Sequence, residues 1–152
     1  MSIHTAIANI EEEKISSEKA KKFILCEENG AESIFVGRVR NENSGKKVKA
    51  VTYDVHDKMV LKSFKTICDD VKRKFDKNAK VFLEHAKGYV LVGEISILIA
   101  VGSGHRDEAF KICRYILEEI KHQSPIWKKE HYIEGKEEWL PGHSIRPKEE
   151  VK

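Results

Sequence analysis

The sequence predicts an α/β (α+β) fold in which helices pack on a β-sheet. Segments with strand-like and helix-like apolar patterns alternate along the 152 residues, which is typical of helices layered on a sheet. The run from Ile95 to Val101 is short and almost entirely apolar, as expected for a central strand covered on both faces. We therefore predict one domain over residues 1–140, followed by a polar tail at 141–152 that we expect to be mobile.

The first half of the chain alternates between expected strands and helices. Ser16 or Ser17 can cap a first helix, and Gly30 can stop it after Asn29. Apolar residues spaced three and four apart predict a second helix whose inward face includes Met59. The expected segments are a strand at 2–10, a helix at 17–29, a strand at 31–40, a loop at 41–45, a strand at 48–56 and a helix at 57–75.

The second half of the chain is expected to contain two more strands, a long helix and a hairpin. Glycines mark the expected turns, because glycine adopts backbone conformations that other residues disfavour. The expected segments are a strand at 79–85 with a turn at Gly88, a strand at 94–101, a turn at 102–104, a helix at 106–123, and a hairpin formed by 127–133 and 137–140.

Composition and charge favour a soluble globular protein with a heavily charged surface. Charged residues make up 35% of the chain, yet the net charge is only +3, which is too small to indicate nucleic-acid binding by itself. Cys26, Cys68 and Cys113 fit no metal motif and lie in apolar helical patterns, so we expect buried, reduced thiols and a cytoplasmic location. No signal-peptide pattern is present, and no apolar run approaches the ~20 residues of a membrane span. The histidines show no paired ligand spacing, so neither a metal nor a cofactor is expected.

Two arginines mark the end of one expected strand. In a regular strand Ile34, Val36, Arg38 and Arg40 share a face, which begins apolar and ends with two guanidinium groups. Guanidinium groups bind carboxylate or phosphate in a bidentate manner, so this face predicts an anion site. The alternative is a solvated strand end that pairs with Glu42.

A second basic pair, His105 and Arg106, begins the last expected helix. Free backbone N–H groups at a helix start favour an anion, whereas cationic side chains there oppose the helix dipole. Such a local conflict often marks a functional site. The alternative is that Asp107 and Glu108 balance the two charges at the surface.

A third group of cations surrounds the end of the same helix. Lys121 lies in its last turn, where the helix dipole favours a cation in any fold. Lys128 follows Trp127, and restricted access of water together with neighbouring cations would lower its pKa. It is therefore a candidate nucleophile or proton carrier. Lys129 is expected to alternate to the other side of the strand.

These residues together resemble the MoaE family, the catalytic (large) subunits of molybdopterin synthase. The resemblance covers roughly residues 30 to 140, and its most specific part is the stretch Pro-Ile-Trp-Lys-Lys-Glu with the lysine before it. The matching residues are Phe35-Val36-Gly37-Arg38-Val39-Arg40, Asn43, Gly45, Tyr53, Met59, Gly88, Val92-Gly93-Glu94, His105-Arg106, Ala109-Phe110, Lys121, Pro125-Ile126-Trp127-Lys128-Lys129-Glu130, Gly135 and Trp139.

The resemblance implies an α/β hammerhead fold with an additional antiparallel β subdomain. It also implies a sulfurtransferase that converts cyclic pyranopterin monophosphate (precursor Z) to molybdopterin in molybdenum cofactor biosynthesis. In that family the sulfur comes from the C-terminal Gly-Gly thiocarboxylate of a small ubiquitin-like, MoaD-like carrier, so an active-site cysteine is not expected. The implied assembly is a homodimer that forms a heterotetramer with two carriers.

The resemblance also assigns roles by position. It implies that Lys121 and Lys128 are catalytic. The implied substrate-binding residues are Arg38, Val39, Arg40, His105, Arg106, Lys129 and Glu130.

Three other functions remain open at this point. A basic module that binds RNA or another polyanion would spread its cations and exposed aromatic residues over a broad face, whereas here the cations concentrate at the ends of elements. A scaffold that dimerises and binds the carrier without turnover is disfavoured by the presence of both Lys121 and Lys128. A purely structural domain leaves the clustered cations unexplained.

Overall fold

The computed structural model of the protein describes residues 2–135 and 137–140. Within those residues three helices pack on eight strands that form one mostly antiparallel sheet, which confirms the predicted α/β fold. The predicted tail at 141–152 lies outside the described residues. The strands are β1 (Ser2–Asn9), β2 (Ala31–Arg38), β3 (Glu42–Asn43), β4 (Lys46–Val55), β5 (Lys80–Leu91), β6 (Ile95–Ser103), β7 (Ile126–Tyr132) and β8 (Glu137–Trp139), and the helices are α1 (Ser17–Ile24), α2 (Asp57–Lys74) and α3 (Arg106–Gln123).

The long strand β5 joins the two halves of the sheet. Its first half pairs with β6 in antiparallel and with β1 in parallel orientation, and its second half pairs with β4. The strand order is β2-β6-β5-β4-β7-β8, with β1 also beside β5 and β3 beside β4. The predicted turn at Gly88 is wrong, because Gly88 has a φ of 108° inside a continuous strand. A glycine conformation thus carries the chain from one half of the sheet into the other.

The core lies between the sheet and the helices. Strand β6 runs between β2 and β5 and is buried from Ser96 to Ser103, which confirms the prediction of a central strand. Helix α3 has its predicted bounds and packs on β2, β6 and α2. Cys68 and Cys113 are buried as predicted, and burial raises the pKa of the Cys68 thiol to about 12. The prediction is wrong for Cys26, which lies beyond the end of α1 and is only partly buried. None of the helices in the described part of the chain is long and apolar enough to cross a membrane.

Helix α1 is shorter than predicted. The Ser16 hydroxyl caps it by accepting the Lys19 N–H at 3.2 Å, but the helix ends at Ile24 instead of Asn29. Ile24 is fully buried, and its carbonyl oxygen would lie 2.9 Å from a Cβ placed on Gly102 of β6. The helix end thus docks against the central strand, and Leu25 leaves in an extended conformation.

Several other expected details are wrong. Met59 is 54% exposed, and it does not face the core. Strand β2 ends at Arg38, and β6 continues through the expected turn at 102–104 as far as Ser103. The expected loop at 41–45 contains β3, which pairs with β4 across Ser44 and Gly45. Both turn residues have positive φ values, 51° and 80°, as a two-residue hairpin of type I′ requires.

His85 of β5 is an ionisable side chain that lies within the core. It is 1% exposed, and its Nδ1–H donates a 2.8 Å hydrogen bond to the Ala86 carbonyl. Burial lowers the pKa of His85 to about 4, and the nearby positive charge of Lys128 acts in the same direction. His85 is therefore neutral in the folded protein at pH 7.

The close approach between α1 and β6 predicts the effect of adding one methyl group. We expect Gly102→Ala to destabilise the fold by about 1–3 kcal/mol, because the new Cβ would press on the Ile24 carbonyl and the Asn29 side chain. Gly104→Ala is the matched control, since nothing lies within 4 Å of a Cβ there. Urea denaturation of both variants measures the difference, and equal stabilities would contradict this packing.

The buried His85 predicts a pH dependence of stability. As the pH falls from about 6.5 to about 4, the unfolded chain binds a proton at this histidine and the folded chain does not, so the free energy of unfolding should decrease by about 3 kcal/mol. In His85→Asn, which keeps a donor for the Ala86 carbonyl, the slope over this range should be shallower. Chemical denaturation at several pH values tests this, and parallel slopes for the two proteins would refute it.

Candidate active site

The pairing of β7 with β4 determines which side chains reach the candidate site. Tyr53 of β4 pairs with Lys128 of β7, and Val51 pairs with Glu130. Because alternate residues of a strand point to the same face, Lys128 and Glu130 share one face and Lys129 lies on the other.

A small cavity of about 90 Å³ opens on the face that carries Lys128. It brings the end of β2 and the β3–β4 hairpin, which follow each other closely in sequence, together with the distant middle of β7. The lining residues are Arg38, Val39, Arg40, Glu42, Asn43, Val51, Tyr53, Lys128 and Glu130. Five of the nine predicted site residues therefore line one cavity, and these are Arg38, Val39, Arg40, Lys128 and Glu130.

Lys128 has the most altered electrostatic environment of the cations in this cavity. Burial lowers the pKa of its ammonium group, and the positive charges of Arg40 and Lys121 lower it further, against the opposing effect of the Glu130 carboxylate. Lys121 lies in the last turn of α3, and only Ser124 and Pro125 separate α3 from β7. The short connection holds the two lysines close enough to repel each other, and the lowered pKa makes the Lys128 amine easier to deprotonate.

Glu130 is a buried carboxylate beside these cations, with 5% of its surface exposed. The Asn43 amide donates to its Oε1 at 2.8 Å, and the Tyr132 hydroxyl donates to the same oxygen at 2.9 Å. Burial and the Glu130 carboxylate raise the pKa of Tyr132 to about 12, so the phenol stays protonated and remains a donor. Two neutral donors thus hold the Glu130 carboxylate in place.

The arginines do not follow the predicted strand face. The pairing of β2 with β6 shifts register between Gly37 and Arg38, where β2 ends. Val39 is buried after this shift. Ile34, which was expected to face the core on the same strand face as the arginines, is 36% exposed. The Arg38 guanidinium donates to the Gly93 carbonyl at 2.7 Å and lines the cavity together with Arg40.

Two residues that the sequence did not indicate as site residues form the apolar side of this region. The Tyr53 ring lines the cavity and makes an edge contact with the His85 ring at 5.0 Å between centroids. Burial raises the pKa of Tyr53, so its hydroxyl also stays protonated. Alternation along β4 could have indicated Tyr53, whereas no local signal in the sequence indicates that His85 lies near Lys128.

The remaining predicted site residues lie elsewhere in the chain. Lys129, on the opposite face of β7, pairs with Glu137 at 3.3 Å and covers the Trp139 ring. His105 and Arg106 are exposed at the start of α3. Lys121 follows Arg106 by 15 residues, which corresponds to roughly 22 Å along a helix axis. A single copy of the chain therefore does not bring His105 and Arg106 to the cavity.

The described residues contain no group of three or more histidine, cysteine, aspartate or glutamate side chains that could hold a metal ion. The chemistry that the cavity itself offers consists of binding an anion between guanidinium groups and moving a proton at the Lys128 amine.

Comparisons with known proteins agree on a family. The model of the family described as MoaE protein matches residues 10–123, a range that includes Lys121 and ends before Lys128. A molybdopterin synthase catalytic subunit from Synechococcus elongatus is 38% identical over 126 residues, which cover 83% of this chain and 76% of the relative.

Solved structures show the same similarity. Molybdopterin synthase from Staphylococcus aureus superposes with a TM-score of 0.81 at 32% identity, covering 90% of this chain and 96% of the other. A chain in a complex of subunits 1 and 2 of molybdopterin-converting factor from Helicobacter pylori has a TM-score of 0.70 at 24% identity, covering 96% and 92%, and shows the shared fold alone. The chain therefore belongs to the MoaE family of molybdopterin synthase catalytic subunits, which are enzymes.

Proposed function

We propose that the chain is a sulfurtransferase that converts cyclic pyranopterin monophosphate (precursor Z) to molybdopterin. The observation that carries this proposal is the cavity in which Lys128, with its lowered pKa, lies beside Arg38 and Arg40. The substrate is a phosphate ester, and a pair of guanidinium groups is a suitable binding site for phosphate. Membership of the MoaE family supports the same reaction.

Within this proposal the lysines move protons and stabilise charge. The thiocarboxylate sulfur of a carrier forms a new carbon–sulfur bond to the pterin, and opening of the cyclic phosphate releases an oxygen that needs a proton. Water then cleaves the acyl–sulfur bond, so the sulfur stays on the pterin and the carrier leaves with a carboxylate terminus. An ammonium group of lowered pKa supplies that proton more readily than an ordinary lysine does. In this proposal Lys128, which lines the cavity, donates that proton, and Lys121 lowers the pKa of Lys128 and adds positive charge near the phosphate.

The sulfur donor in this proposal is the C-terminal thiocarboxylate of a small ubiquitin-like carrier with a Gly-Gly tail. The related Helicobacter pylori chain assembles with a second subunit, which supports a similar partner here. A carrier that brings its own sulfur needs no cysteine in the enzyme's site. Cys68 and Cys113 are buried in the core, and Cys26 is partly buried.

We further propose that the enzyme acts as a homodimer, and as a heterotetramer with two carriers. His105 and Arg106 lie about the length of α3 away from the Lys128 cavity of their own chain. A twofold dimer brings the same surface of each copy against the other, so the pair from one copy can approach the cavity of the second. The site would then contain cations from both chains.

Reconstitution with the thiocarboxylated carrier and precursor Z tests the reaction, with molybdopterin followed by chromatography and mass spectrometry. We expect product only when this chain is present. Binding of the carrier without product would instead indicate an inactive scaffold, and absence of both would favour a polyanion-binding module.

The lysine variants test the roles of the cavity residues. We expect Lys128→Ala and Lys121→Ala each to lose at least about 100-fold in kcat, since each removes charge that acts in the transition state. Lys129→Ala, on the opposite face of β7, should lose less than about 5-fold. All three should bind the carrier and keep their circular-dichroism spectra, and near-normal turnover of the Lys128 and Lys121 variants would exclude the proposed roles.

Mixed dimers test whether the site is shared. A Lys128→Ala chain and a His105→Ala/Arg106→Ala chain should each be inactive as pure dimers. Random mixing leaves one complete site in half of the dimers, so about a quarter of the wild-type activity should return. If mixing restores nothing although mass spectrometry shows mixed dimers, each chain uses its own cations.

A further inference from the structure

The turn between β5 and β6 is closed by both main-chain and side-chain hydrogen bonds. The Glu94 N–H donates to the Leu91 carbonyl at 3.0 Å, and the Leu91 N–H donates back to the Glu94 carboxylate, Oε1, also at 3.0 Å. Gly93 between them has a φ of 87°, which favours glycine. The carboxylate therefore adds a side-chain hydrogen bond to a turn that the main chain closes with one internal hydrogen bond.

This turn holds the segment that carries the cavity arginines. The Gly93 N–H donates to the Val39 carbonyl at 2.9 Å, and the Val39 N–H donates to the Glu94 carbonyl at 3.2 Å. The Gly93 carbonyl accepts the Arg38 guanidinium at 2.7 Å. The register of the β2–β6 pairing shifts between Gly37 and Arg38. Beyond this point, hydrogen bonds to the turn hold the segment in place of regular strand pairing.

The Glu94 carboxylate also pairs with Lys14, and this ion pair can be removed without removing the hydrogen bond from the Leu91 N–H. Its Oε2 pairs with Lys14, which is 74% exposed at the side chain. The hydrogen bond with Lys14 and the one from the Leu91 N–H together lower the pKa of Glu94, so it is a carboxylate at neutral pH. An exposed ion pair of this kind contributes little, whereas the bond to the Leu91 N–H shapes the turn.

We propose that Glu94 is a positioning residue for Arg38. It fixes the Leu91–Glu94 turn, the turn places the Gly93 carbonyl, and that carbonyl holds the guanidinium at the edge of the cavity. The inference rests on the proposed function, because it assigns Arg38 to binding the substrate phosphate. Loss of the Glu94 carboxylate should then weaken substrate binding and leave the proton chemistry at Lys128 intact.

Steady-state kinetics of the reconstituted complex separates these effects. We expect Glu94→Ala to raise the KM for precursor Z about 5- to 10-fold with kcat changed less than about 2-fold, because only binding is weakened. Glu94→Gln keeps an amide oxygen for the Leu91 N–H, and Lys14→Met removes only the exposed ion pair, so both should stay within about 2-fold of wild type.

A double-mutant cycle tests whether the effect passes through Arg38. In an Arg38→Ala background, Glu94→Ala should add less than about 2-fold to KM, because the group it positions is already absent. Independent effects of the two substitutions, or an unchanged KM in Glu94→Ala while the wild type turns over, would overturn the proposal.

An NMR measurement tests whether Glu94 positions Arg38 without requiring turnover of the substrate. The side-chain Nε–H signal of Arg38, assigned by its absence in Arg38→Ala, should shift in Glu94→Ala and stay in place in Lys14→Met. If the wild type shows no turnover, the proposed function fails, and this signal still decides whether Glu94 positions Arg38. An unmoved signal in Glu94→Ala would overturn the positioning role.

Discussion

The register between β4 and β7 is the constraint on which the rest of the site depends. Side chains alternate along a strand, so a slip by one residue would turn Lys128 to the outer face and bring Lys129 to the cavity. Several contacts oppose such a slip. Ile126 and Tyr132 are buried at the two ends of β7, and the Glu130 carboxylate between them accepts the Asn43 and Tyr132 donors. The same contacts that stabilise the sheet therefore select which lysine faces the cavity.

The site concentrates positive charge where the fold itself gains little from it. Lys128 loses water on burial and is repelled by Arg40 and Lys121, and its neighbour His85 is kept neutral. Burial is the largest cause of the lowered pKa of Lys128, and the attraction of Glu130 does not restore the ordinary value. An anion that entered the cavity would favour the ammonium form of Lys128, because it would add a negative charge beside it. The electrostatics thus favour an occupied cavity over an empty one.

Periodicity in the sequence predicted those elements whose patterns are long and uninterrupted. Helix α3 and the central strand β6 are examples, because an amphipathic helix of 18 residues and a short apolar run each have few alternative structures. Local patterns could not predict the early end of α1, which depends on the contact between Ile24 and Gly102 in a distant strand. Gly88 resembles a turn glycine, yet it lies inside β5 because two strands pair with different halves of that element.

Local sequence patterns likewise predicted some features of the site, whereas contacts between distant segments could not be predicted. The sequence identified the cations, and adjacency along the chain was enough to predict a lowered pKa for Lys128. The partners of those cations come from elsewhere: Asn43 from a two-residue strand and the Gly93 carbonyl from a turn. Burial of Cys68 and Cys113 follows from their positions on α2 and α3. It has a chemical consequence for the proposed transfer of sulfur from a thiocarboxylate. Acyl–sulfur compounds exchange with exposed thiolates, so an accessible cysteine near the carrier tail could divert sulfur into unproductive adducts. A protonated thiol packed in the core, as at Cys68, cannot compete, so under the proposed reaction burial removes Cys68 and Cys113 from this side reaction.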